Sequence, residues 1–424
     1  MNQAPHSLFD FNRFLKSLGP GLIFAGTCIG VSHVVQSTRA GADYGFALLW
    51  AVILANVFKF PFFEFAPRYV VATGEHLLHG YRRVGNWAFY LYLILSLCTM
   101  FPIQAAVTLV TTGLFVNLFA WPFEPVYMSI VILTVCCVIL LFGKYPLLDR
   151  LMKVMVIFLG ISTIVALLCA WNLGGVAQDD YIHPFVWDLT GVSFLVALMG
   201  WMPTTMEIAV WHSFWSAERS KQTEYHPTMR EALLDFHIGY WGTMVMAVFF
   251  LSLGALVMFG TGEVFSDSAV KFTDQVITLY TKALGSWSRP VIAIAAATTM
   301  FSTTISCLDA FPRVVREAVV MVAPAWKNKG GDIYALWIVF LSTVSVVIIG
   351  YFIHSMKTLI DFATTIAFLA APIFAYINLR TVTGAHMPVK DRPGKGLYVF
   401  SWLGIIFLVG FSILFIIWRF FIAR

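Results

Sequence analysis

Thr27-Cys28-Ile29-Gly30-Val31-Ser32-His33 stands in the middle of an apolar run over residues 19–38, and Met202-Pro203-Thr204-Thr205-Met206-Glu207 in the middle of another over residues 186–214. Each stretch puts glycine or proline, hydroxyls and one ionisable side chain where a membrane-crossing helix would be at mid-depth. Hydrocarbon offers no hydrogen bonds, so a helix is interrupted there only where the broken ends are buried in protein or line a cavity. A break leaves a turn of unpaired N–H groups on one side and a turn of unpaired carbonyls on the other. Helix N-termini favour anions and C-termini favour cations. Two such breaks facing each other make a binding site whose sign the side chains decide.

The rest of the chain fits that reading. It has 424 residues, of which 59% are hydrophobic and 12% charged, with 39 Phe and a mean hydropathy of +0.82. Soluble domains carry about a quarter charged residues, so soluble, disordered, collagen-like and nucleic-acid-binding classes are excluded. Apolar runs recur at about 20 residues, the length that crosses ~30 Å of hydrocarbon, and the alternating strands of a membrane barrel are absent. The fold class is therefore an all-α polytopic membrane protein. Hydropathy gives about eleven spans, near 19–38, 45–72, 87–119, 125–142, 149–171, 186–214, 233–261, 287–318, 333–354, 358–380 and 396–422. The longest connections are about 215–232 and 262–286. The chain reads as one transmembrane domain over 1–424, and no cleavable signal is expected from the largely polar Met1 to Lys16. The six cysteines all lie in apolar runs and read as buried free thiols rather than a disulfide framework.

Charge sets the expected orientation. With the N-terminus inside, 19 of the 27 Lys and Arg residues fall on inner segments, among them Arg13, Lys16, Arg82, Arg83, Lys144, Arg219 and Lys221. Seven fall outside, including Arg39 and Lys357, and Lys59 lies within a span. This bias predicts a cytoplasmic N-terminus and an outward C-terminus in the inner (plasma) membrane.

The two interrupted spans are the first and the sixth. A pair of broken helices at equivalent positions points to an inverted-repeat transporter. Five plus five spans, over 19–171 and 186–380, with one extra helix at 396–422, fit a LeuT-type arrangement working by alternating access.

Gly19-Pro20-Gly21, Gly41-Ala42-Asp43-Tyr44-Gly45-Phe46-Ala47-Leu48-Leu49-Trp50 and His212-Ser213 resemble the Nramp family of proton-coupled metal transporters. The resemblance implies a LeuT-type fold with the substrate between the first and sixth spans. The departures matter as much. Counted back without gaps from Gly45, the family's Asp-Pro-Gly-Asn falls on Gly30, Val31, Ser32 and His33, so both metal-binding side chains are replaced. Counted back from His212, the family's Met-Pro-His falls on Thr205, Met206 and Glu207. The alternative, matching Met202-Pro203 to the family's Met-Pro, keeps a thioether near the site but needs an insertion of nearly a helical turn. The third span, acidic in the family, reads Phe101-Pro102-Ile103-Gln104 here.

A divalent ion leaving water needs anionic ligands to offset its lost hydration, and Glu207 is the one acid at either break. Hydroxyls, backbone N–H groups and an imidazole suit a small oxyanion instead. The expected activity is therefore secondary transport of a small inorganic anion such as bicarbonate, coupled to protons. The alternative is a proton-coupled divalent metal transporter of the Mn or Mg type. Candidate substrate residues are Gly30, Ser32, His33, Met202, Thr204 and Thr205, and the proton-coupling candidates are Glu207 and His33. No resident metal, cofactor or nucleic acid is expected; the partners are the ion, protons and the lipid bilayer, with a monomer compatible and the oligomeric state open. No nucleophile–base pair marks an enzyme.

Bland alternatives stand beside each candidate. Mid-helix Thr204, Thr205 and Ser32 can bond back to the preceding turn. Cys28, Met202 and Met206 can form a soft-metal site with His33 or simply pack. Glu64 and Arg68 have the i,i+4 spacing of an ion pair. Asp309 and Arg313 share it and read as an intracellular gate or brace. Lys59 is a counter-charge or snorkels to the interface. Asp235 and His237 open span seven and are placed at an inner exit.

Overall fold

The computed structural model describes residues 18–142, 145–173 and 185–422, and among these every regular element is helical. The first span is α1 (Pro20–Cys28), a π-helical turn (Ser32–Ser37) and α2 (Thr38–Tyr44). There follow α3 (Leu49–Thr73), α4 (Leu77–Val84), α5 (Asn86–Phe119), α6 (Pro125–Phe142) and α7 (Tyr145–Leu173). The second half holds α8 (Leu189–Gly200), α9 (Ile208–Thr223), α10 (Met229–Val257), α11 (Ala269–Leu284), α12 (Arg289–Val322), α13 (Gly330–Phe352), α14 (Met356–Thr383) and α15 (Lys395–Ile417).

Eight of the described helices are long and apolar enough to cross a membrane, and the pair on either side of Gly30, bent by 46°, makes a ninth. The remaining two expected spans correspond to α7, whose described apolar part is Gly160–Asn172, and to α8 continued by α9. Arg13, Lys16, Lys144 and Arg424 lie outside the described residues.

Both interruptions come where the sequence places them. After Cys28 the Gly30 amide bonds to the Cys28 carbonyl at 2.8 Å instead of reaching a full turn back, and the chain restarts in a widened turn. From Trp201 to Glu207 the backbone is non-helical around Pro203, which has no N–H to donate.

Two connections differ from expectation. The segment 215–232 holds the end of α9, to Thr223, and the start of α10, from Met229, and 262–286 contains α11. Hydropathy passes over α11 because only one of its faces is apolar: Phe272, Val276, Ile277 and Tyr280 are buried while Lys271 is exposed.

Span seven, α10, holds both halves of span one. Gly239 meets Gly21 so closely that a Cβ at 239 would stand 2.0 Å from the Gly21 carbonyl oxygen. A Cβ at Gly41 would stand 1.9 Å from the carbonyl oxygen of Leu251, and one at Gly254 2.4 Å from that of Thr38. Such contacts let helix backbones touch where lipid supplies no hydrophobic drive. The Asp235 carboxylate of α10 accepts from the Gly19 and Gly21 amides at 3.0 and 2.7 Å, capping the start of α1. Asp235 therefore anchors span one, and it also edges a pocket of about 280 Å³ lined by Pro20, Val70, Arg219, Lys221 and His226.

Candidate functional site

The two breaks meet. Ser32 of the first puts its hydroxyl 2.8 Å from the Cys28 carbonyl and 3.3 Å from the carbonyl of Pro203 in the second. Between them lies a small cavity of about 20 Å³. That is room for about one water. Its wall is Thr27, Cys28, Val31 and Ser32 from span one, Trp201, Thr204, Thr205, Ile208 and Trp211 from span six, Ile103 and Val107 from α5, and Thr303 and Cys307 from α12.

Of the residues chosen from sequence, Ser32, Thr204 and Thr205 are in this wall. Gly30 is instead packed against Thr303, which would stand 2.8 Å from a Cβ there. Met202 is fully buried beside Ser37, its sulfur 3.9 Å from that hydroxyl. His33 lies outside the lining, fully buried, with both ring nitrogens engaged: Nε2–H donates to the Thr243 carbonyl at 2.9 Å, and Nδ1 is 2.7 Å from Ser32 Oγ. Its ring thus ties the first break to span seven and orients Ser32. Glu207 also stands just behind the wall, where the Thr99 hydroxyl of α5 donates to its Oε1.

Hydrogen-bond accounting separates the residues further. Thr27 donates back to the Ile23 carbonyl at 2.9 Å, the local bond common for Thr in helices. By contrast, the indole Nε1 atoms of Trp201 and Trp211 are buried with no hydrogen-bond partner, while the Thr205 hydroxyl sits beside the Glu207 carboxylate. An indole nitrogen can only donate. The two indoles therefore offer unspent donors at the cavity wall, beside hydroxyls that can donate or accept. No group of three or more His, Cys, Asp and Glu placed to hold a metal occurs among the described residues.

Lys59, fully buried on α3, points into the second break: its Nζ donates to the carbonyls of Met199 and Gly200, the last residues of α8, at 2.7 and 2.9 Å. It is a counter-charge and does not snorkel. At the start of α2, Arg39 donates to Asp361 of α14 at 2.8 Å and to Gln36 at 2.9 Å, with its guanidinium 4.7 Å above the Phe194 ring of α8. Gln36 donates to the same carboxylate at 3.0 Å. These contacts lock the far halves of spans one and six to span ten.

The remaining charged candidates are paired. Arg68 donates to Glu64, whose other oxygen is 3.6 Å from His237 Nε2. Arg313 donates to both oxygens of Asp309 at 2.8 and 3.1 Å, and the Tyr334 hydroxyl donates to Asp309, bracing α12 against α13. Sequence inspection missed Thr27, Trp201, Trp211, Thr303 and Cys307 as wall residues. The indole pair had a faint signal, since both flank the Pro203 break.

The whole architecture superposes on known transporters. A mutant of the manganese transporter of Eremococcus coleocola matches with a TM-score of 0.76 at 15% identity, covering 100% of this chain and 91% of that one. MhsT in complex with L-phenylalanine matches with a TM-score of 0.64 at 13% identity, over 99% and 100% of the two chains. At these identities the likeness shows the fold, which is LeuT-type. In sequence, the model of the family described as natural resistance-associated macrophage protein-like matches residues 21–418. The chain belongs to the Nramp family. It is also 35% identical, over 94% of its length and 92% of the other, to an uncharacterized protein, PM0681, of Pasteurella multocida (strain Pm70). As a member of a family of multi-pass membrane transporters, this Nramp chain is a transporter rather than an enzyme.

Proposed function

We propose that this chain is a proton-coupled secondary transporter of a small inorganic anion, with bicarbonate the leading candidate. The observation that carries this reading is the pair of unspent indole donors in the wall. Trp201 and Trp211 hold unpaired donors at a cavity with no carboxylate in its lining. A planar oxyanion supplies the acceptors those groups lack, and the Ser32 and Thr204 hydroxyls are beside them. Glu207 is the proton-coupling candidate, because its carboxylate is buried next to the cavity against the Thr99 and Thr205 hydroxyls. His33 acts behind Ser32, and Gly30 and Met202 shape the break. The pocket, sized for one water here, has to widen as the bundle of spans one and six rocks against the rest.

In this reading the repeats are 19–171 and 186–380, with 396–422 added. The protein sits in the inner membrane, its N-terminus cytoplasmic. The basic bias of the segments assigned inside supports that topology.

A second reading, a divalent metal transporter, is favoured by family membership and by the thiols of Cys28 and Cys307, which both line the cavity. Flux in proteoliposomes decides between them. A panel of labelled bicarbonate, other small anions, Mn²⁺ and Mg²⁺ is expected to show anion uptake driven by a pH gradient with little response to voltage. Glu207→Gln is expected to uncouple uptake from the gradient, and His33→Ala to weaken it. Saturable Mn²⁺ uptake at micromolar concentrations, with no anion flux, overturns the proposal.

A further inference from the structure

We infer that Lys59 is a specificity-determining residue: a resident cation that fills the carbonyl end of the broken sixth span and so excludes a transported cation from it. The end of a helix concentrates the negative pole of its backbone dipoles on the last carbonyls, and in a broken membrane helix these carbonyls are what an ion meets. In this chain two of them, at Met199 and Gly200, are already taken by one ammonium at 2.7 and 2.9 Å. The Met199 carbonyl also accepts the Met202 amide at 3.3 Å. Crowding closes the place as well. Gly200 is pressed on α14 so tightly that a Cβ would stand 2.1 Å from the Thr364 carbonyl oxygen. Trp201, the next residue, begins the cavity wall.

The ammonium thus touches the residue next to the cavity wall, and it is buried in protein, so little screens it. A buried ammonium here raises the potential of the neighbouring cavity. It disfavours a divalent ion twice over, by taking its ligands and by repelling it. The same charge favours an anion. This inference deepens the proposed function and rests on it for the sign of the native substrate. Its direction, a lower cation affinity with Lys59 charged and in place, can be read without knowing that substrate.

The test compares the full-length wild type with Lys59→Arg, Lys59→Gln and Lys59→Met. Each is purified in detergent and titrated with MnCl₂ by calorimetry, then assayed for labelled bicarbonate flux in liposomes. Lys59→Gln keeps an N–H donor, on a side chain one bond shorter, and removes the charge, so it stays informative if Lys59→Met fails to fold. Lys59→Gln is expected to bind Mn²⁺ at least tenfold more tightly than wild type and to lose anion flux, while Lys59→Arg keeps the wild-type preference. If monodisperse Lys59→Gln binds Mn²⁺ no better than wild type, the inference is wrong. Wild-type Mn²⁺ flux without anion flux would sink the preceding proposal alone, because the ratio between variant and wild type still decides the role of Lys59.

Discussion

Two glycines three residues apart on α10 give opposite predictions for the same substitution. Gly239 faces Gly21 at the start of span one, and an added methyl carbon would stand 2.0 Å from the Gly21 carbonyl oxygen. Carbon and oxygen need roughly 3.2 Å, so the two helices must part by about 1 Å or bend. Both contacting groups are backbone, so no rotamer change relieves the clash. Overpacking of this kind costs about 1–3 kcal/mol. It also pulls the Gly19 and Gly21 amides away from Asp235, whose hydrogen bonds, made to a charged group, are each worth about 1.5–3 kcal/mol. Gly239→Ala should therefore lose about 2–5 kcal/mol, set against a helix-propensity gain of about 1 kcal/mol. Gly242 has nothing within 4 Å of its would-be Cβ, so Gly242→Ala should keep the gain alone. Thermal unfolding of both variants in the same detergent, followed by tryptophan fluorescence and monodispersity, reads the difference. Gly239→Ala is expected to unfold well below wild type and Gly242→Ala at or slightly above it. Equal midpoints for the two would refute the close contact between spans one and seven.

The Arg39–Asp361 pair should bias the conformational equilibrium modestly. Asp361 is 36% exposed, so the pair is worth about 1 kcal/mol or less, roughly a fivefold population shift. In a variant retaining Cys28 as its sole cysteine, Arg39→Ala is expected to speed maleimide modification of that thiol by up to that factor, and an unchanged rate counts against these contacts holding span one to span ten. His79, in the short helix α4 between spans two and three, has its imidazole held below the ordinary histidine range by burial and then by neighbouring His76. Below the unfolded value of about 6.5 the unfolded chain takes up a proton that the folded one resists. Stability from this group is thus present above that pH and lost as pH falls through it. Replacing His79 with Gln should flatten the drop in unfolding temperature between about pH 7.5 and 5.5, and an unaltered slope would remove His79 as its source.

Much of the fold was legible because hydropathy is a local sum. Each span announces itself by its own side chains, and Gly30 and Pro203 announce the breaks by what a backbone without a Cβ or an N–H can and cannot do. The i,i+4 pairs Glu64–Arg68 and Asp309–Arg313 were legible for the same reason, since helical geometry alone brings them together. α11 was not, because burial of one face depends on the helices beside it rather than on its mean apolarity.

The candidate site divides along the same line. The sequence by itself determined that two interrupted helices carry hydroxyls, a histidine and a single glutamate, and that the carboxylate and amide of the family's first break are missing. Only the tertiary structure decided what those groups face. It turned His33 toward Thr243, some 210 positions along the chain, and sent Lys59 to carbonyls about 140 positions away. It brought Thr303 and Cys307 of α12 to the same wall as Thr204. The reason is physical: a buried polar group is governed by whichever partner lies within about 3 Å. In a bundle of spans, that neighbour is chosen by how helices pack across the membrane and not by their order in the chain.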